Sequence, residues 1–182
     1  MARGERYAGI QEARWALDMK KAILTLDVED WFHLDYFDRA SCNEAKSMLD
    51  GLQVFLDLLD EYSIKASFFV LGEIAEKNIE LFTRLVALGH DVGSHGWSHE
   101  RPLQMTSSEF RDDLHRSFEV TKKINGDRGF GYRAPCFSLD RKKLDMVREA
   151  GFIYDASRID FGAHPLYGSI DMAGFHSVSK DV

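Results

Sequence analysis

The sequence predicts an α/β fold with a parallel sheet, laid out like a β/α barrel. Short apolar runs of strand formers alternate with amphipathic helical segments, the pattern of successive βαβ units. Residues able to do chemistry fall just beyond the ends of those runs, where a β/α barrel carries its site. With 182 residues the chain fits one domain and can bury a sizeable core.

The elements follow in order. Residues 1–20 mix Arg, Glu and Gly with no apolar stretch and are expected to form an extension rather than a secretory signal. The run from Lys21 to Leu26 is the first strand, ending at the acidic group Asp27-Val28-Glu29-Asp30. Trp31 to Asp38 is an aromatic, acidic loop. Leu49, Leu52, Phe55, Leu56 and Leu59 give Ser47–Tyr62 a helical period. Ala66–Leu71 is the second strand, and Ile74–Leu88 an amphipathic helix stopped by Gly89. His90–Gly93 is a third strand. Thr106 followed by Glu109 is a capping box opening a helix that runs to about Ile124. Gly129–Arg133 and Phe152–Asp155 are further strands, separated by a helix over Arg141–Ala150. Gly174–Val178 is one more strand.

Composition narrows the function classes. A net charge of −7 disfavours nucleic acid and anionic membranes as partners but permits neutral sugars. No apolar run is long enough to span a bilayer. Two distant cysteines, Cys42 and Cys136, make no disulfide framework, so a reduced, cytoplasmic chain is the default expectation, with export not excluded.

The chemistry centres on Ser94-His95-Gly96-Trp97-Ser98-His99. Two histidines four apart share a face on a helical turn and can hold one divalent metal, although this spacing alone also arises by chance. A hydrolytic site needs a third ligand, and Asp27, Glu29 and Asp30 are the candidates. Asp27 and Glu29 alternate with Val28 and so face one side of a strand, leaving one carboxylate to act as general base. Arg133 can grip a carboxylate, and Pro135 fixes the backbone so that the amide of Cys136 or Phe137 is offered to an oxyanion. Cys136 has no base tied to it and reads better as a loop thiol than as a nucleophile. Trp31, Phe32, Tyr36, Phe37 and Trp97 could line a sugar site or simply join the core.

Taken together, these segments resemble the polysaccharide deacetylase family (carbohydrate esterase family 4). Leu26-Asp27-Val28-Glu29-Asp30-Trp31-Phe32 is similar to the first motif of a bacterial branch associated with exopolysaccharide biosynthesis. Ser94–His99 resembles the metal-binding motif, Ala66–Gly72 a conserved-type strand of the family, Gly131–Ser138 its Arg-Ala-Pro motif, and Phe152–Ser157 a fourth segment. The resemblance implies a distorted β/α barrel with fewer strands than a regular one. It implies a metal-dependent hydrolase removing N-acetyl groups from amino sugars. The metal would be Zn²⁺ foremost, with Co²⁺, Ni²⁺ or Mn²⁺ as alternatives. Asp27 takes the place of the general base, His95 and His99 of metal ligands, and Arg133 of the residue orienting the base. Either Glu29 or Asp30 completes the ligand set, and Asp155 supports the site. Trp31, Pro135, Cys136, Phe137 and His164 are expected to meet substrate.

The family's last motif, Leu-x-His, has no good counterpart, since His176 lacks the preceding Leu. The domain from 21 to 182 is therefore expected to be incomplete at its C-terminus and short of its last strands. Open sheet edges would then invite self-association. Two rival readings remain: an amidohydrolase acting on a small or cyclic amide, and an inactive remnant binding carbohydrate or a partner.

Overall fold

A computed structural model describes residues 22–159, 164 and 166–170. The expectations for residues 1–20 and for a strand at 174–178 lie outside them. Three parallel strands form the sheet: β1 (Thr25–Val28), β2 (Ser67–Val70) and β3 (Asp91–Ser94), in the order β1-β2-β3. Single parallel bridges carry it on, from Ser94 to Tyr132 and from Tyr132 to Asp155. The two later strands expected over 129–133 and 152–155 are thus reduced to one paired residue each. β1 starts later than its apolar run suggested and continues through Asp27, whose charge is met by Arg133 inside the sheet's concavity.

The helices are α1 (Leu52–Glu61), α2 (Gly72–Lys77), α3 (Ile79–Ala87), α4 (Ser107–Asn125) and α5 (Arg141–Ala150). The helix expected from Ser47 begins instead as a 3-10 turn, Met48–Gly51. The one expected over 74–88 is two helices broken at Asn78, whose side-chain amide donates to Ile74 O at 2.8 Å. The capping box forms as expected, with Thr106 and Glu109 exchanging hydrogen bonds at the start of α4.

One face of the sheet, with Val28, Phe68, Val70 and Val92, is buried against Leu56, Leu59, Ile74, Phe82, Leu85 and Val120 from α1–α4. Burying these branched and aromatic side chains contributes about 1.5–3 kcal/mol each. A second cluster, built on Phe110, Leu114, Tyr132, Leu139, Val147 and Phe152, joins α4 to α5 and to the later bridges.

The opposite face carries Asp27, Phe69 and Gly93 in direct register. Here the sheet curls. Arg133, one residue past the fourth strand position, reaches Asp27 on the first at 2.7 Å. In a flat sheet those positions would stand roughly 14 Å apart, three strand spacings, more than the two side chains span. Tyr154 likewise comes within ring-contact distance of Phe69, 6.3 Å between centroids. Glycine makes this possible: a Cβ on Gly93 would meet Gly131 O at 2.9 Å and the Phe69 ring at 3.0 Å.

Gly93→Ala is accordingly expected to destabilise the fold by about 1–3 kcal/mol through overpacking, read as a lower urea midpoint at unchanged slope. An unaltered midpoint would show that the concave face has slack.

Candidate metal centre

Just beyond the carboxyl ends of β1 and β3, Glu29, His95 and His99 bring one ligand atom each to within 4.8 Å of one another. His99 Nε2 lies 2.6 Å and His95 Nε2 3.6 Å from Glu29 Oε2. Both histidines are buried, and Glu29 Oε2 is buried without a hydrogen-bond partner. Burial works to raise the Glu29 carboxyl, but its contacts with His95 and His99 outweigh that and hold it well below the usual carboxylate range.

The histidines do not converge through a helical turn. Residues 95–99 form a loop in which Gly96 (φ 75°) and His99 (φ 69°) are left-handed. The loop is held by its main chain: the amides of Gly72 and Glu73 donate to the carbonyls of Gly96 and Trp97, at 2.8 and 3.1 Å. His95 Nδ1 lies 2.8 Å from Arg133 O, and a carbonyl only accepts. Nδ1 therefore carries a proton, which leaves Nε2 as the ring nitrogen that faces Glu29, the orientation that carbonyl-anchored metal ligands adopt. Two imidazoles and a carboxylate that converge in this way fit a divalent cation.

Asp30, the other candidate ligand, is not in this group. It caps the 3-10 turn Trp31–His33, accepting from Trp31 N at 3.0 Å, and Ser47 Oγ donates to its second oxygen. The chain turns after Glu29, so the two neighbours point to different tasks.

Asp27 stands beside the cluster, paired to Arg133. The guanidinium also donates to Thr25 Oγ1 (3.1 Å) and Ala156 O (3.2 Å), and its carbon lies 4.1 Å from the Phe69 ring centroid. Asp155 does not reach the cluster. It accepts from Ser157 N and Oγ at 2.9 and 2.7 Å, while Ser157 Oγ accepts from Ala134 N at 2.8 Å. It thereby braces the Arg-Ala-Pro segment, and burial raises its carboxyl above the ordinary value.

Pro135–Phe137 form a 3-10 turn with Cys136 and Phe137 both left-handed, φ 52° and 50°. The Phe137 amide is spent on Ala134 O at 2.9 Å, which leaves the Cys136 amide as the candidate oxyanion donor. Burial, followed by the charge of Asp35, pushes the Cys136 thiol up to about 12, so it is no nucleophile near neutrality. His164 is not one of the three converging residues; it is stacked on Tyr167 at 4.0 Å, with Tyr167 edge-on to Phe137. Trp31 is tied down by its indole N–H, which donates to Lys46 O at 2.7 Å.

A network that local sequence patterns do not reveal fixes the loop after β1. The amide of Asp30 donates to His33 Nδ1 (2.8 Å), so His33 Nε2 carries the proton and donates to Glu73 Oε1 (2.6 Å). Arg39 adds two hydrogen bonds to the same carboxylate, 2.8 and 3.3 Å. Burial opposes ionisation of Glu73, yet His33 and Arg39 bring its carboxyl down to about 2. The partners lie 34 to 40 residues apart in sequence, which hides them from motif reading.

The model of the polysaccharide deacetylase family matches residues 37–154. The chain belongs to this family. It is 33% identical over 117 residues to the peptidoglycan deacetylase of Helicobacter pylori, covering 64% of this chain and 40% of that protein. With the peptidoglycan-N-acetylglucosamine deacetylase of Bacillus cereus the identity is 30% over 98 residues, 54% of this chain and 36% of that one. The chain thus spans about two fifths or less of the length of these family members. Among solved structures, a CE4-family pseudoenzyme from Bacillus anthracis shares the fold, with TM-score 0.59 and 19% identity over 76% of this chain and 43% of its own. The α/β architecture expected from the sequence is therefore that of the family.

The Glu73 network sets an acid limit. Because its folded value lies below the ordinary 4.5, its stabilisation is complete above about pH 4.5 and is lost as pH falls towards about 2. Unfolding free energy measured from pH 6 to 2.5 should decline in that window, and Glu73→Gln should flatten the decline. An identical slope in the variant would refute the assignment.

Proposed function

We propose that this chain is a divalent-metal-dependent deacetylase that removes N-acetyl groups from amino sugars of a bacterial polysaccharide. The observation that carries the reading is the convergence of Glu29, His95 and His99 beside an Asp27 held by Arg133. Membership of the deacetylase family and the names of its peptidoglycan-directed relatives support the substrate class. The first motif's likeness to the exopolysaccharide branch points to a secreted or surface glycan as the polymer.

In this reading Glu29, His95 and His99 hold the cation. Zn²⁺ suits two imidazoles and one carboxylate, and Co²⁺, Ni²⁺ and Mn²⁺ are the alternatives. The bound ion supplies Lewis acidity, which polarises a carbonyl and acidifies water. Asp27 takes the proton from the attacking water as general base and returns it to the sugar amine that departs as the acetyl C–N bond breaks. Arg133 keeps Asp27 aimed, and its bonds to Thr25 and Ala156 prevent the guanidinium from turning away. The Cys136 amide donates to the oxyanion that develops on the acetyl carbonyl. Asp155 acts indirectly, through Ser157 and the Ala134 amide. Trp31, Pro135, Phe137 and His164 form walls against which a sugar ring rests.

The test pairs metal content with acetate release from N-acetylglucosamine oligomers and from peptidoglycan. One divalent ion per chain is expected, with turnover. His95→Ala should lose both. Asp27→Asn should keep the ion and lose about 10²–10⁴ in kcat, the usual worth of a general base. A wild-type chain without metal sinks the reading. Metal without acetate from either glycan overturns the deacetylase and favours the small-amide hydrolase or the binding remnant.

A further inference from the structure

The two-histidine loop is not self-supporting: it is an irregular segment with two left-handed residues. Its inner side hangs from the start of α2 through the Gly72 and Glu73 amides. Its outer side meets α4, a helix that contributes nothing to the cluster itself. There Asp113 Oδ2 accepts from the amide of Trp97, midway between the two histidines, at 3.0 Å. Its other oxygen, Oδ1, lies 3.3 Å from where a Gly96 Cβ would stand, with ring carbons of Pro135 at 3.5 Å from the same point. One helical turn on, the Arg116 guanidinium covers the Trp97 ring at 3.8 Å from its centroid. The same ring packs on Gly72, where a Cβ would come within 2.4 Å of it. Trp97 is thus gripped at its amide, at its carbonyl and across its indole.

The structure assigns Asp113 as a positioning residue: its carboxylate, acting through the Trp97 amide, sets the separation and aim of His95 and His99. This rests on the metal site proposed above and adds to it a residue 14 positions beyond the second histidine, on an element that motif reading leaves out. The grip is geometric. A buried amide that loses its acceptor must find another, and in this loop the simplest way is to rotate the Trp97 peptide, which moves both flanking histidines. Asp113 is buried enough for its carboxyl to be pushed up to about 6, so measurements belong at pH 7.5, where it is ionised.

The probe is Co²⁺, titrated into the full chain and read both as affinity and as the visible d–d spectrum. Asp113→Ala is expected to weaken Co²⁺ binding about 10- to 100-fold, the range for outer partners of metal ligands, and to change the spectrum. Asp113→Asn keeps an acceptor at the same reach and should restore affinity and spectrum. Asp113→Glu keeps the charge but displaces the acceptor and should behave like alanine. Thermal unfolding of each variant separates misfolding from mispositioning. If alanine does not fold, the asparagine and glutamate pair decides alone. A folded Asp113→Ala with wild-type affinity, or rescue by glutamate and not by asparagine, overturns the proposal. A wild-type chain that binds no Co²⁺ overturns the metal reading instead.

Discussion

The guanidinium of Arg133 is the constraint on which the rest depends. It leaves the fourth strand position, crosses the Phe69 ring on β2 and closes on Asp27 in β1. The pair is reinforced by two further hydrogen bonds from the same guanidinium, Nη1 to Thr25 Oγ1 and Nε to Ala156 O. The pair holds the sheet in its curl and sets Asp27 beside the cluster. The carbonyl of the same residue orients His95, so the proposed base and a proposed ligand are referred to one backbone position. Gly93 and Gly131 make room for this: the first admits Phe69, the second the Tyr154 ring.

Much of this was legible. Residue types and order placed Asp27, Glu29, His95, His99 and Arg133 in one neighbourhood, because strands that alternate with helices deliver their ends to one rim. The capping box was read correctly since Thr106 and Glu109 need only three residues of local geometry. What failed was conformational detail. The histidine spacing suggested a helix, whereas Gly96 and His99 take left-handed backbone that four residues of sequence do not announce. Glu29 and Asp30 could not be separated in advance, since the choice depends on Ser47, 17 residues away. Asn78 splits a continuous amphipathic pattern by capturing the Ile74 carbonyl, which periodicity does not register.

The loop after β1 shows a different kind of illegibility. His33, Glu73, Arg39, Asp35 and Arg101 look like ordinary surface charges when read singly. Folded, they are two clamps: His33 and Arg39 on Glu73, and Arg101 on Asp35 at 2.9 Å. The start of α2 thus holds the loop that follows Glu29 through the Glu73 carboxylate and the loop that carries the histidines through the Gly72 and Glu73 amides. A partly buried carboxylate with three bonds is costly to leave unpaired, so this junction is expected to move as one body.

The alternation Asp27-Val28-Glu29 has a consequence for how such a site can be lost. Val28 is buried in the helix-facing core while its neighbours face the opposite side. Removing that one valine would put the two acids on opposite faces and send one of them into the apolar layer. Net charge, acid count and histidine count would all be unchanged. A lineage could therefore abandon the chemistry by a single-codon deletion that no tally of reactive residues detects, while substitutions at the same spot would leave a visible scar.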